Sequence, residues 1–372
     1  MARVVLFGAT GYTGGLTAQA LVQRGVRPLL AGRSAAKLEE LAEELGGDLD
    51  IAVADALRPS SVRDLLEPGD VLISTAGPFL RWGETVAQAA IEGRAHYLDS
   101  NGEPPFTRRI FEGYGAAASQ AGVGVLTAFG WECVPGNLAG ALALHEAGDA
   151  AVRVDTGYFY GGTTGFSGGT RASFAEAMIR PSFAFRDGAI REVRAAERFR
   201  TMPVEGRRRP GVGFGASEHF ALPRSFPQLR EVNAYLGWFG GLSPRAARLI
   251  HAAGRVGSPV LRVPGARRLA GAAIGLLKGS SGGPSREERA AGGIRVVAIA
   301  YDAAGEELAE VSLAGIEGYE LTAALLAWGA ERTLNGGLRR SGALGPVEAF
   351  GLDELEAGCR EAGVARLRYA AG

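Results

Sequence analysis

Seven residues near the start of the chain, Gly8-Ala9-Thr10-Gly11-Tyr12-Thr13-Gly14, have the types and spacing of a phosphate cradle. They follow a short apolar run, Arg3–Phe7, and open a stretch of helical composition, Thr13–Arg24. Glycine at the first position permits a tight turn. At the second it lets backbone approach a pyrophosphate, and at the third it lets helix and strand pack closely. The helix start offers free N–H groups to phosphate oxygens. Between a strand and a helix, such a stretch reads as a dinucleotide site.

The residues about twenty positions further on decide which dinucleotide. An acid there would accept hydrogen bonds from the ribose 2′-hydroxyl of NAD and repel a 2′-phosphate. This chain instead places Gly32, Arg33 and Ser34 there, with Lys37 one turn into the next helix. A guanidinium can hold phosphate bidentately and stack on adenine. Ser34 can donate its hydroxyl, and Lys37 adds a charge. The expected cofactor is NADP. Asp55 and the loop residues Ala76, Gly77, Pro78 and Phe79 complete the candidate cofactor set.

Ligands of such sheets lie beyond the carboxyl ends of the strands, where three loops qualify: Ser74–Phe79, Asp99–Pro104 and Gly130–Asn137. Candidate catalytic groups on or near them are Tyr97, Asp99, Glu103 and Glu132. Tyr160 and Arg171, further along, join them as donors to a developing anion, beside Ser100 and Tyr158. Each also has a plainer account. Asp99 and Ser100 can cap turns, Glu103 can cap a helix, Trp131 can be core, and Cys133 can be a small buried hydrophobe. A Tyr-x-x-x-Lys pair is absent, since the only lysines are Lys37 and Lys278. The four histidines are scattered, so no metal site is expected.

These groups must be positioned by a fold. In the first third, strands at Arg27–Ala31, Leu49–Val53, Asp70–Ser74, Arg94–Leu98 and Val123–Thr127 follow the first one, with helical segments between most of them. That alternation predicts an α/β fold with a doubly wound parallel sheet, over residues 1–134. Residues 135–372 read as a second, α+β domain built on an antiparallel sheet. Ala151–Tyr160 alternates like a strand with one wet face. Arg171–Arg180 reads as a helix, and Ile294–Tyr301 with Glu307–Leu313 as a hairpin. Glu320–Glu331 and Leu352–Glu361 read as helices, and residues 316–372 are expected to pack back on the first domain. Across 243–290, Arg245, Arg248, Arg255, Arg262, Arg267 and Arg268 interleave with aliphatic residues. A helical subdomain with a wet arginine face is the simpler reading, and peripheral membrane contact the alternative.

Forty basic and forty acidic residues balance, which argues against a nucleic-acid partner. Two cysteines, Cys133 and Cys359, are too few for a disulfide framework. The N-terminal apolar run is too short for a secretory leader, and no run approaches the roughly 20 residues that span a bilayer. A cytoplasmic protein is expected.

The stretches GATGYTG, AGR, STAGPF, HYLDSNGE and GWECVPGNLAG occur in the order seen in saccharopine dehydrogenase-like reductases, which the chain resembles. SGGTRAS and GYELTAALLAWGAER are similar to the branch containing trans-acting enoyl reductases of mycobacterial lipid assembly. The resemblance implies an NADP-dependent reductase with a Rossmann domain and a second sheet often used in dimerisation, so a homodimer is among the expected partners. It implies cofactor contact at Gly77, Pro78 and Phe79, and substrate-side loops at Asp99, Glu103, Trp131 and Glu132. Segment 200–290 matches no family pattern.

The expected reaction is hydride transfer from NADPH to an activated double bond, with an enoyl group on a small-molecule or carrier-tethered acyl substrate favoured by the resemblance. An imine is the alternative acceptor, with Asp99, Glu103 or Glu132 stabilising an iminium. A saccharopine- or opine-type amino-acid dehydrogenase is a further alternative, with Arg81, Arg171 and Arg180 as candidate holders of the substrate carboxylates. From another class, a non-catalytic NADP sensor would bind the cofactor without turnover.

Overall fold

The computed structural model describes residues 2–161, 167, 168, 170, 173, 180–237 and 282–367. The chain divides into two compact units. One comprises 1–102, 106–134 and 319–362; the other comprises 103–105, 135–318 and 363–372.

The first unit is built on a parallel sheet. Its strands are β1 (Val4–Phe7), β2 (Leu29–Gly32), β3 (Ile51–Val53), β4 (Val71–Ser74), β5 (His96–Asp99) and β6 (Gly124–Leu126). They lie in the order β6-β5-β4-β1-β2-β3, with Gly342–Ala343 added beyond β6. This is the doubly wound order, in which the chain reverses direction between β1 and β4 and leaves a crevice there. Strands β1, β2 and β4 are buried at every position, as two-sided parallel strands must be. Helix α1 (Tyr12–Gln23) follows β1, α2 (Ala35–Glu44) follows β2, α3 (Pro59–Arg63) follows β3 and α4 (Phe79–Glu92) follows β4.

Helix Gly318–Leu334 and the helix Leu352–Glu361 bring the C-terminal part of the chain into this unit. Trp328 stacks parallel to Phe129 at 6.5 Å between ring centroids and meets Phe350 edge-on at 4.8 Å. Gly358 makes that packing possible, because a Cβ there would lie 2.0 Å from the Trp328 ring. Arg24, at the end of α1, binds Glu331 at 2.5 Å and Glu361 at 3.1 Å, tying both helices to the cofactor helix.

The second unit holds a nine-stranded sheet with β7 (Arg153–Gly161), β8 (Ser182–Arg186), β9 (Ala189–Val193), β10 (Phe199–Val204), β11 (Arg207–Phe214), β12 (Glu231–Gly237), β13 (Gly293–Tyr301), β14 (Glu307–Gly315) and, on the far side of β14, Val364–Arg366. The sheet is antiparallel except where β7 runs parallel to β12. The wet face expected for β7 is absent: seven consecutive residues, Val154 to Tyr160, are buried. On one face Thr156 approaches Gly140 of the helix Val134–Ala147, where a Cβ would stand 3.4 Å from its methyl group. On the other, Phe159 joins Met202, Val204, Tyr235, Val297, Ile299 and Tyr301. The β13–β14 hairpin forms as the alternation predicts, starting one residue earlier, at Gly293, and ending two later, at Gly315. The stretch Arg171–Arg180 and the arginines of 245–268 lie outside the described residues, Ser173 and Arg180 excepted.

Candidate cofactor and substrate site

The glycines of the first turn are required by geometry. Gly8 has φ +86°, and its N–H and that of Ala9 donate to the Ala31 carbonyl at 2.9 and 3.2 Å. A Cβ on Gly14 would lie 2.2 Å from the Gly8 carbonyl oxygen, so helix α1 can start this close to β1 only with glycine there. Gly11 differs: its Cβ would meet only the Gly8 oxygen at 3.3 Å, which leaves the side toward the crevice open. Gly11 is the N-cap of α1, and no side chain caps the helix. First-turn amides without a side-chain cap suit phosphate oxygens. Thr75, after β4, holds the turn by donating its N–H to the Phe7 carbonyl at 3.0 Å and its hydroxyl to that of Gly8 at 3.1 Å. Thr10 and Gly11 are exposed, Tyr12 and Thr13 are half-buried, and Ala9 is buried in the turn.

At the end of β2, Gly32 has no side chain, and Arg33 and Lys37 are exposed. Among the described residues neither cation has an ion-pair partner. Ser34 is the N-cap of α2, accepting the Lys37 N–H at 3.5 Å, which leaves its hydroxyl hydrogen to donate. The residues present therefore fit a dinucleotide with a 2′-phosphate. Asp55 is half-buried, and its carboxylate accepts the Leu57 N–H at 3.0 Å in the turn after β3. Gly77 is exposed and joined to Pro78 by a cis peptide, while Ala76 and Pro78 are half-buried. Phe79 turns inward instead, packing on Phe106 at 5.6 Å between centroids, so its side chain belongs to the core.

Asp99 and Tyr97 are corrected in the same way. Both are fully buried, on the same face of β5, with Ser74 as the register partner of Asp99. Asp99 Oδ1 accepts the N–H groups of Asn101 at 2.9 Å and Ala128 at 2.8 Å, and the Thr127 hydroxyl at 3.2 Å. It ties the loop after β5 to the loop after β6, and with no exposed surface it positions those loops. Burial pushes its carboxyl up to about 6 against the pull of these donors. Burial, then the neighbouring Asp99, pushes the Tyr97 phenol well up. Glu132 is half-buried with its carboxylate over Gly102, where a Cβ would stand 2.8 Å from Oε2.

In the second unit, Glu103 is fully buried and accepts the Ser173 hydroxyl at 2.8 Å. Tyr160 is buried on β7, and its carbonyl takes the Arg209 guanidinium at 2.6 Å. Arg171 lies outside the described residues. The structure adds an acid that sequence reasoning missed. Glu218, unexposed, accepts the Tyr158 hydroxyl and neighbours the Asn137 amide and Ser217 hydroxyl at 3.5 Å. Gly136 makes room, since its Cβ would lie 1.7 Å from the Tyr158 oxygen. The Ser217-Glu218 pair ahead of an apolar run is a helix-start signal, and nothing in it tells of burial.

Residues 4–126 match the profile of the saccharopine dehydrogenase NADP binding domain. The chain is similar to a trans-acting enoyl reductase of Mycobacterium ulcerans, with 34% identity over 140 residues, 36% of this chain and 34% of that one. A Mycobacterium tuberculosis relative provisionally given the same name is 35% identical over 190 residues, 48% of this chain and 45% of its own. A lipid droplet localized protein of Caenorhabditis elegans is 33% identical over 146 residues, covering 36% of this chain and 34% of that one. The chain thus aligns with less than half the length of these relatives. Saccharopine dehydrogenase (L-Glu forming) of Saccharomyces cerevisiae shares the fold, with a TM-score of 0.61 at 13% identity over 99% of this chain and 100% of that one. The similarity to the saccharopine dehydrogenase NADP binding domain thus falls on the strands and helices of the first unit up to residue 126. Among the described residues no helix is long and apolar enough to cross a membrane.

Proposed function

We propose that the protein is an NADPH-dependent reductase of activated double bonds, acting on an enoyl group of an acyl substrate. The observation that carries the cofactor half is the end of β2, where Gly32 replaces an acid and Arg33 and Lys37 stand exposed without ion-pair partners among the described residues. The names of the mycobacterial relatives support the enoyl half. Bound NADPH supplies the hydride. The chain holds the pyrophosphate on the uncapped start of α1, selects the 2′-phosphate with Arg33, Ser34 and Lys37, and keeps the Gly77–Pro78 loop beside the crevice. Reduction of a C=C bond also takes up one proton, from water or an acidic side chain, at the carbon next to the carbonyl.

The test is NADPH oxidation followed at 340 nm against matched panels of enoyl thioesters and imines, with NADH as the control cofactor. Turnover on enoyl thioesters with NADPH preferred is the expected result. Turnover on imines alone would overturn the substrate assignment. Tight NADPH binding with no oxidation in either panel would make the protein a sensor and overturn the enzymatic reading.

A further inference from the structure

The second unit contains a concavity of ≈ 290 Å³, measured out to its open mouth, beneath the β8–β9 hairpin. Its lining includes Ser182, Arg186, Arg194, Arg198, His219 and Asn233. Two donors there have no acceptor among the described residues: the Ser182 hydroxyl, on a residue 5% exposed, and Nε of Arg186. Both are buried atoms, and a buried donor without an acceptor costs about 1–3 kcal/mol. Ser182 is kept clear by Gly215, whose Cβ would stand 2.9 Å from its Oγ.

The charges point the same way. Three arginines line the concavity with a single acid, Glu197, which accepts from Arg186 Nη2 at 2.5 Å. Arg198 is held from behind by Glu231 and by the Asn233 side-chain oxygen at 2.7 Å. Arg194 donates to the carbonyls of Ala196 and Glu197, both at 3.2 Å. The centre of a water-sized sphere can move through only ≈ 20 Å³ of it, room for about one water molecule. One oxygen of a larger head group fits there, with the remainder in the wider mouth.

We propose that this concavity binds an oxyanion, the carboxylate or phosphate head of a small metabolite, through the Ser182 hydroxyl and the Arg186 guanidinium. The inference stands apart from the cofactor reading, because every residue in it belongs to the second unit. His219 provides a local reporter. Burial, followed by the charges of Arg186 and Arg198, lowers its imidazole to about 4, and an anion placed among those arginines would raise it.

The experiment is imidazole NMR on the full chain saturated with NADPH, titrated separately with acetate and with inorganic phosphate. The chain has four histidines, and a His219→Gln sample assigns the reporter by loss of its signal. The expected result is a saturable movement of the His219 resonance alone. Response to acetate only assigns a carboxylate ligand, response to phosphate only a phosphate, and response to both the shared chemistry. Ser182→Ala, which leaves the Arg186–Glu197 pair in place, should weaken the midpoint about tenfold, and Arg186→Gln by at least as much. A His219 signal that ignores both anions, that moves equally with chloride, or that responds unchanged in Ser182→Ala would overturn the proposal.

Discussion

Tyr12, in the glycine-rich turn, meets Tyr319 edge-on, with ring centroids 5.0 Å apart and planes at 89°. Tyr319 begins the part of the chain that returns to the first unit, and one turn later Thr322 accepts the Trp131 N–H at 3.2 Å. The start of one helix therefore touches both the cofactor turn and the Gly130–Asn137 loop. An aromatic pair of this geometry contributes about 0.5–1.5 kcal/mol beyond burial. Tyr319→Ala should raise the Kd for NADPH roughly two- to tenfold, while Tyr319→Phe, which keeps the ring, should leave it near wild type. Fluorescence titration measures both, and equal losses in the two variants would show that the ring contact is not the cause.

Arg33 should govern cofactor choice. A charge-assisted hydrogen bond to phosphate contributes about 1.5–3 kcal/mol, so Arg33→Ala should raise KM for NADPH roughly 10- to 100-fold with little change for NADH. Gly32→Asp restores the acid, and the site has room for it: the nearest atoms to a new Cβ, on Leu38 and Thr10, are 3.7 Å away. The double variant should prefer NADH. Unchanged preference in steady-state kinetics would remove the 2′-phosphate from this site.

The cradle was legible in the sequence because its function depends on backbone, and glycine spacing reports backbone directly. Gly8, Gly14 and Arg33 could be named from types and positions alone. Asp99, Tyr97 and Phe79 carry equally suggestive types, but their roles follow from which way a side chain points at a strand end or helix start, and one residue of displacement reverses that direction. The β7 alternation misled for a related reason. Gly157 lets Met202 approach until its sulfur would lie 2.4 Å from a Cβ, so a distant hairpin covers the face that looked wet. Glu218 was invisible because its partners Tyr158 and Asn137 lie 60 and 81 residues away, and the Ser182–Arg186 concavity because its lining comes from separate strands of 182–237, which no local pattern joins.

Asp99 should leave a signature in stability against pH. Its folded value of about 6 lies above the ~3.9 of an unfolded chain, so the native state retains the proton between them. Stability contributed by this group is then present below about 4 and lost as pH rises to about 6, by roughly 3 kcal/mol in total. His219, lowered to about 4, contributes the opposite slope between about 4 and 6.5. Comparison with Asp99→Asn isolates the first effect, since asparagine keeps the Oδ1 acceptor for Asn101 and Ala128. Urea unfolding at pH 4, 5, 6 and 7 should show the variant gaining on wild type as pH rises. Parallel curves would mean that burial does not raise the Asp99 carboxyl above its unfolded value.

The second unit should depend on one buried ion pair. Asp155 has no exposed surface; it accepts from Arg200 and from the Asn233 amide at 2.7 Å, with Arg153 further off at 3.8 Å. Arg200 also donates to the Tyr301 hydroxyl, and both arginines lie over the Tyr301 ring, at 5.0 and 4.0 Å. Arg200 comes from the β10–β11 hairpin, so the pair fastens that hairpin across β7 and β13. Removing one member of a buried pair leaves an uncompensated charge and costs about 3–5 kcal/mol. Arg200→Met should destabilise the chain by less than that, about 1–3 kcal/mol in urea unfolding at pH 7, because Arg200 is part-exposed and Arg153 and Asn233 still face Asp155. Replacing both members, as Arg200→Met with Asp155→Asn, should recover a large part of the loss, because the stranded carboxylate is gone. A double variant as unstable as the sum of the two single ones would show that the arginine acts by packing alone, and that charge pairing across β10 and β7 does not hold the hairpin in place.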